Sequence, residues 1–487
     1  MSISSQKQPG VFWLSSFSTL FERLGYYVIA FSLTLAVMTL YNIPSKEAYV
    51  ASALFGSITY LTMPLGGYLQ DKILGIKNTL ILGLVMETIG FFIIASADHL
   101  SILYVSMGFI AVGVGLFKTS PANLIGRSYQ KNDPRIDAGF TLFYMFINIG
   151  GLIGGFIPTF LVMALGFRGC FFLSFLFGIL AIIIILVGQK LIKPEHESEA
   201  GRQKTHLGKK IITIIAVIIV GYILGIAAGH TEIYIAILVL SVIGLLAYVG
   251  KDMMSATPAE RKRTLTAFIF IILGMIFFML YYQLLMPLET FANQCINRNF
   301  DILGWHFTIS PIMYPNLDSV FCIIFAPIIS TISIKLGKKD LHISRKFPFG
   351  ITLVGIGFII IGLGAFLSHG HKVNSLWAVV GIAVFVIGEL YTSALGVSVV
   401  AKIAPQRLFG IMMGAWFLIG SSIGVMISGH LAGLANVPTG ASLFVANQIY
   451  ANAFFAFGGI AIIIAIIGFL ISGFLKRVII ETDTYHE

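Results

Sequence analysis

The sequence predicts an all-α polytopic membrane protein, and two observations carry that prediction. The 487-residue chain is 57% hydrophobic and only 11% charged, against about 25% charged residues in an ordinary soluble domain. Its apolar residues fall into long runs separated by polar loops, each near the length that a helix needs to cross a bilayer. A third observation suggests a purpose. Glu22 and Arg23 stand side by side inside the otherwise uncharged run 11–41. Glu22 lies roughly 16 Å along that helix at about 1.5 Å per residue, near the middle of a hydrocarbon layer about 30 Å thick. Charges at that depth are costly and persist where they face a polar cavity or one another. The expectation is transport or signalling across a membrane.

Fourteen spans are expected, near 11–38, 49–69, 79–95, 102–125, 139–165, 170–187, 211–228, 233–249, 265–292, 315–334, 347–367, 376–401, 408–434 and 449–474. The N-terminus reads MSISSQKQPG before the first full-length run, which is not the pattern of a cleavable leader. The net charge of +10 is a matter of topology. Basic residues crowd the loops on the side of both termini, while the opposite loops carry only Lys46, Arg168, Arg298 and Lys372. The positive-inside rule then places both termini in the cytoplasm. No nucleic-acid patch remains once the charges are assigned to loops. Cys170, Cys295 and Cys322 are odd in number and lack metal-ligand spacing, so neither a disulfide framework, a metal site nor a cofactor is expected. There is no nucleotide loop or nucleophile–base set to suggest an enzyme.

The chain repeats weakly. Gly115-Leu116-Phe117-Lys118-Thr119-Ser120 aligns with Gly388-Glu389-Leu390-Tyr391-Thr392-Ser393 at an offset of 273, which also pairs Phe143-Tyr144 with Trp416-Phe417 and Gly151 with Gly424. Two related six-helix bundles follow, 1–190 and 265–487, with 191–264 as cytoplasmic linkers and an inserted two-helix hairpin. Repeated halves with a site at mid-membrane are the plan of many secondary transporters.

The remaining intramembrane polar groups suggest the site. Lys118 lies nine residues before Arg127, roughly 13 Å from the cytoplasmic surface, a depth matching that of Glu22. A Glu22–Arg23–Lys118 cluster could exchange partners when a proton or an anionic ligand arrives. A static packing bridge is the alternative, but a buried ion pair is a poor stability device. Glu389 sits halfway along its helix, so an acid in one half would face bases in the other. That suits a zwitterion, its carboxylate towards Arg23 and Lys118 and its ammonium towards Glu389. Asp318, nearer the outer face, could serve the amine, carry a proton or act as a gate contact. Glu289 reads as mouth-lining, and Glu87 on the third helix first as an interhelical hydrogen-bond partner. Tyr26 and Tyr27 lie four residues past Glu22 and Arg23 on the same helix faces. Asn148 is a mid-span amide able to bond a ligand backbone or a neighbouring helix.

These residues sit in a recognisable order. Glu22-Arg23-Leu24-Gly25-Tyr26-Tyr27 resembles the first-helix signature of proton-dependent oligopeptide transporters, a branch of the major facilitator superfamily. Gly113-Val114-Gly115-Leu116-Phe117-Lys118 resembles their fourth-helix lysine motif, and Phe143-Tyr144-Met145-Phe146-Ile147-Asn148 their fifth-helix signature. Gly388-Glu389-Leu390 with Ser393 and Gly396 is similar to the tenth-helix motif, and Trp416-Phe417 to an aromatic pair on the eleventh. Gly67-Tyr68-Leu69-Gln70-Asp71-Lys72, then Gly75 and Lys77, resembles the superfamily loop between helices two and three. The resemblance implies the major facilitator fold, two six-helix bundles plus two inserted helices. It implies proton-driven uptake of di- and tripeptides by alternating access, by a chain functional as a monomer in the lipid bilayer. Arg23 and Lys118 would attract the peptide carboxylate, Glu389 the amino terminus and Asn148 the backbone. Tyr26, Tyr27, Gln283 and Trp416 would line the pocket, Asp71 and Lys72 would belong to a gating loop, and Glu22 coupled to Lys118 would take part in proton movement.

Three departures matter. Thr19 stands where the signature has a further Glu, Tyr282 where many members have a Glu before the residue matching Gln283, and Asp318 where Asn is usual. Ala30 replaces a second first-helix Arg of some members. The proton route is therefore expected to be rewired through Asp318 or Glu389, or substrate choice shifted towards more positive ligands, or coupling weakened. Rival readings are a carrier of another small charged solute and a drug/proton antiporter of the same fold.

Overall fold

The computed structural model describes residues 8–129, 133, 135–202, 207–302 and 305–483. In chain order the helices are α1 (Gly10–Ala30), α2 (Leu33–Tyr41), α3 (Ser45–Leu61), α4 (Met63–Leu69), α5 (Ile76–Ala95), α6 (Leu100–Phe117) and α7 (Ser120–Ser128). There follow α8 (Ile136–Gly188), the short α9 (Glu199–Arg202), α10 (Leu207–Gly229), α11 (Thr231–Ser255), α12 (Pro258–Leu285) and α13 (Pro287–Gln294). The chain ends with α14 (Met313–Leu336), α15 (Ile343–Leu367), α16 (Ser375–Leu390), α17 (Ser393–Ile403), α18 (Phe409–Ala415), α19 (Gly424–Ala432) and α20 (Leu443–Asp483). Two π-helical stretches, Gln70–Leu74 and Trp416–Ile423, interrupt the α-helical geometry.

Among the described residues eleven helices are long and apolar enough to cross a membrane, or twelve with α1 and α2 taken as one span bent by 50°. The expected fourteen differ from this in two places. The run labelled α8 is two helices that meet without a loop at a kink at Gly166 (φ 67°, ψ 174°), a conformation open to glycine, so two of the expected spans lie end to end within it. Helices α16 and α17 are each short, because the expected span 376–401 is broken at Tyr391-Thr392.

The breaks have local causes. At the α1–α2 bend the Ser32 hydroxyl donates to the Val28 carbonyl at 2.6 Å, drawing off an acceptor that would otherwise continue the helix ladder. At the α16–α17 break the Thr392 hydroxyl lies within hydrogen-bond distance of the Gly388 and Glu389 carbonyls. The internal repeat reproduces this feature. Helix α6 stops at Phe117 and α7 restarts at Ser120, while α16 stops at Leu390 and α17 restarts at Ser393, both at the offset of 273. Helix α12 begins with a capping box, in which Thr257 Oγ1 accepts from Glu260 N at 3.3 Å and Glu260 Oε2 accepts from Thr257 N at 2.9 Å, followed by Pro258.

The chain folds into two compact units, one of residues 1–33 and 58–235, the other of 34–57 and 236–487. In the first unit α1 packs on α8, and α5 packs on α6 and α8. The α1–α8 approach is close because Gly150 and Gly154 face α1, where an added Cβ would stand 2.8 Å from the Leu20 and Leu24 carbonyl oxygens. Helix α10 lies on α6. In the second unit α15 packs on α16 and α20, around an aromatic core of Phe270, Phe277, Phe291, Phe358, Phe385 and Phe454. Segment 34–57 is tied into this unit by Tyr49 OH with Thr290 Oγ1 at 2.5 Å and by Ser57 Oγ with Ser422 Oγ at 3.0 Å. Short strands close one end, with β1 (Ile296–Asn297) parallel to a fourth strand Val373–Asn374, and β2 (Asn299–Ile302) antiparallel to β3 (Trp305–Thr308).

Candidate functional site

Each unit holds a polar cluster at membrane depth. In the first, Arg23 Nε donates to Glu22 Oε2 at 2.5 Å and Arg23 Nη2 donates to Glu22 Oε1, a two-pronged ion pair. Both side chains are buried. The guanidinium carbon lies 4.8 Å from the Tyr26 ring centroid and 5.7 Å from that of Tyr27, within cation–π range. Tyr26 in turn hydrogen-bonds Thr59 on α3. Lys118 caps α6, its backbone N–H donating to the Val114 carbonyl at 2.9 Å. Its side chain is exposed despite its depth, with Nζ 5.4 Å from the Tyr60 ring centroid. It interacts electrostatically with both Glu22 and Arg23, so the expected trio is assembled. Open surface on a lysine this deep suits a polar cavity.

Asn148 is half-buried, its Nδ2 donating to the Tyr144 carbonyl one turn back at 2.9 Å, and Tyr144 is 64% exposed. The loop residues Asp71 and Lys72 are exposed, while their neighbour Gln70 is buried and accepts from Ser120 Oγ at 3.0 Å. A segment after the sixth apolar run is docked on the same loop. Glu197 accepts from the backbone N–H of Ile76 at 2.7 Å and of Lys77 at 3.0 Å, capping α5, and Ser198 Oγ donates to the Gln70 carbonyl at 2.7 Å. This strap leaves no local signature in the sequence, because Glu197 is distant along the chain from the helix that it caps.

Glu87 is more than the interhelical partner that its sequence position suggests. It is 1% exposed on α5, neither carboxyl oxygen has a donor among the described residues, and it interacts with Glu22 and Arg23 across the helix interface. The available signal is depth: Glu87 lies about as far into its helix as Glu22 does into its own.

The second unit gathers acids. Asp318 on α14 is buried, and Tyr281 OH donates to its Oδ2 at 3.2 Å. Its carboxyl group lies within 4.8 Å of that of Glu389 on α16. Asp318 Oδ1 and Glu389 Oε2 have no hydrogen-bond partner among the described residues. Two carboxylates this close repel each other unless a proton or a cation compensates, so the pair is built to hold either one proton or a cationic group. Cys322, one turn along α14, brings its sulfur into the same group, all three donor atoms lying within 4.8 Å of one another. Spacing along the chain could not show this grouping, since Glu389 comes from another helix. A carboxylate–thiol–carboxylate set is compatible with a cation, including an ammonium.

Two expected pocket residues are engaged in packing within this unit. Gln283 is fully buried, its Nε2 donating to the Met279 and Ser428 carbonyls at 2.8 and 3.1 Å, while its Oε1 has no partner among the described residues. Trp416 opens the second π-helical stretch, is 1% exposed, and lies against Gly274 and Gly396. Glu289 is fully buried rather than lining a mouth, beside Thr290 and its partner Tyr49. Packing of α13 against its neighbours, which a linear reading cannot register, covers it.

Comparison with known proteins agrees with these features. A model described as the POT family matches residues 77–452. Dipeptide and tripeptide permease A of Klebsiella pneumoniae (strain 342) is 32% identical over 480 residues, covering 98% of this chain and 94% of that protein. Its counterpart of the same name in Escherichia coli (strain K12) is 31% identical over 480 residues, with 98% and 95% covered. Among solved structures, a POT family transporter in complex with 5-aminolevulinic acid superposes with a TM-score of 0.80 at 28% identity, covering 96% of this chain and 97% of that one. A peptide transporter POT in complex with sulfate gives 0.82 at 25% identity, with 96% of each chain covered. The fold is that of the major facilitator superfamily, and with relatives of 30% identity or more along nearly its whole length, this chain belongs to the POT family.

Proposed function

We propose that the chain imports di- and tripeptides across the bacterial cytoplasmic membrane, coupled to protons, by alternating access. The observation that carries the reading is a division of charge on a POT family chain: Arg23 and Lys118 in one unit, Asp318 and Glu389 in the other. A peptide presents one carboxylate and one ammonium. Arg23 and Lys118 supply donors for the first, and the acid pair supplies acceptors for the second. Tyr26, Tyr27 and Asn148 complete the first unit's polar surface, and Gln283 and Trp416 come into play as the helices carrying them move. Glu22 and Lys118 exchange charge as the proton passes, and Asp318 takes over from the carboxylate that Tyr282 lacks. Asp71 and Lys72 belong to a cytoplasmic gate.

The basic loops support two cytoplasmic termini. Two six-helix bundles, 1–190 and 265–487, flank linkers and an inserted hairpin at 191–264, and the monomer is the working unit. Transport rather than catalysis is the activity.

Binding to the purified protein tests the division of charge. Dialanine should raise the melting temperature, and N-acetylated or C-amidated dialanine should not. Lys118→Ala should reduce discrimination at the carboxylate end and Glu389→Gln at the amine end. Equal binding of blocked and free peptides would defeat the reading. 5-Aminolevulinic acid, which a solved relative holds, also carries an amine and a carboxylate, and belongs in the same series.

A further inference from the structure

Glu87 is used by nothing proposed so far, yet it is built into the cationic cluster. It lies eleven residues past Ile76 on α5, about 16 Å along the helix. Its carboxyl group is sealed by α6, where Gly113 permits the approach: a Cβ there would stand 2.4 Å from the Glu87 backbone nitrogen. The charged groups acting on it are Glu22 and Arg23 of α1, and neither of its carboxyl oxygens has a hydrogen-bond partner among the described residues. From α6, Lys118 follows five residues after Gly113 and acts on Glu22 and Arg23. Helix α8 offers no charged side chain between Gly139 and Phe167 or from Cys170 to Gly188. The other neighbours of α5 bring Asp71, Lys72, Arg127, Glu199 and Arg202, and Glu197 ties this group to the first turn of α5.

Chemistry then assigns the proton. Glu22 is held as a carboxylate by two N–H groups of Arg23. Glu87 is buried with no donor to either oxygen, so of the two acids it is the one that holds the proton. An unpartnered buried carboxylate would in any case be costly. With Glu87 neutral, Glu22, Arg23 and Lys118 sum to one positive charge, the complement of one substrate carboxylate. With Glu87 ionised the four groups sum to zero and that attraction is lost.

We infer that Glu87 is a proton-carrying residue of the first unit, loaded while the substrate carboxylate is bound and emptied as it is released. Proton and carboxylate thereby favour each other's binding, as reciprocal linkage requires. Glu87 supplies from the third helix the second acid that Thr19 does not supply from the first. Glu22, between Glu87 and the exposed Lys118, is the path by which the buried proton moves. The inference rests on the symport reading above.

The test uses the full-length protein in liposomes, with labelled dialanine, comparing wild type, Glu87→Gln and Glu87→Asp. Uphill uptake under an inward proton gradient and gradient-free counterflow are both measured from pH 5.5 to 8. For Glu87→Gln, uphill uptake should fall at least about tenfold, within the usual range of coupling between sites. Its counterflow should continue with a flattened pH profile, and Glu87→Asp should restore accumulation. Undiminished accumulation by Glu87→Gln would overturn the inference, as would parallel loss of accumulation and counterflow, the mark of a structural role. A wild type that exchanges peptide without ever concentrating it would overturn the symport reading, and this inference with it.

Discussion

At the scale of single residues, the decisive groups are carboxyls placed where water cannot solvate them. Asp318 is the clearest departure from the family pattern, and its carboxyl group within 4.8 Å of that of Glu389 makes the two act as a unit. Asp318→Asn should retain exchange of neutral dipeptides. Its preference for peptides with an N-terminal lysine over dialanine should drop by about tenfold, about 1.4 kcal/mol, as read from competition against labelled dialanine. Unchanged substrate range and unchanged proton-driven uptake would remove any special role for Asp318. Gly113 is a packing counterpart: Gly113→Val would drive a branched side chain into the Glu87 backbone. The expected cost is about 1–3 kcal/mol, seen as a lower midpoint of thermal unfolding in detergent.

At the scale of elements, the strap from Pro194 to Arg202 is the most testable feature. Glu197 caps α5 through two backbone N–H groups, so Glu197→Ala should destabilise the start of that helix by about 1 kcal/mol. Faster hydrogen exchange at Ile76 and Lys77 would report it. His196 gives the same strap a pH dependence. Burial lowers the affinity of its imidazole for protons, with Lys193 adding to the effect and the carboxylates of Glu195 and Glu197 opposing it. Its Nδ1 accepts from the Lys193 N–H at 3.1 Å, which requires the neutral ring. The detached segment therefore binds the proton more readily than the docked one. Docking is fully favourable above the ordinary histidine value of about 6.5 and weakens as pH falls below it. Protection from exchange across Pro194–Arg202, taken relative to the intrinsic rate at each pH, should fall between pH 7.5 and 5.5, and His196→Gln should abolish that fall.

Much of the element pattern is legible in the sequence, because lipid demands long apolar runs and an internal repeat leaves matching motifs. The offset that pairs Lys118-Thr119-Ser120 with Tyr391-Thr392-Ser393 even marks the two helix breaks. What a linear reading misses is whatever depends on lateral packing. Glu87 meets Glu22 across a helix interface, Cys322 and Asp318 meet Glu389, and Glu289 disappears into the core. The bend after Ala30 also escapes it, since the run carries no proline and the cause is a serine bonding back to a carbonyl.

At the scale of the whole molecule, a proton gradient is proposed to drive peptide accumulation by a chain lacking two of its family's expected acids. The most direct measurement is uptake of labelled dialanine into proteoliposomes under an inward proton gradient, for wild type, Glu22→Gln and Lys118→Ala. Proton-coupled import predicts uphill uptake that a protonophore abolishes and that falls at least about tenfold in both variants, as for loss of a charged partner in a coupled site. Folded wild-type protein that fails to concentrate the peptide, or variants that concentrate it as well as wild type, would contradict it.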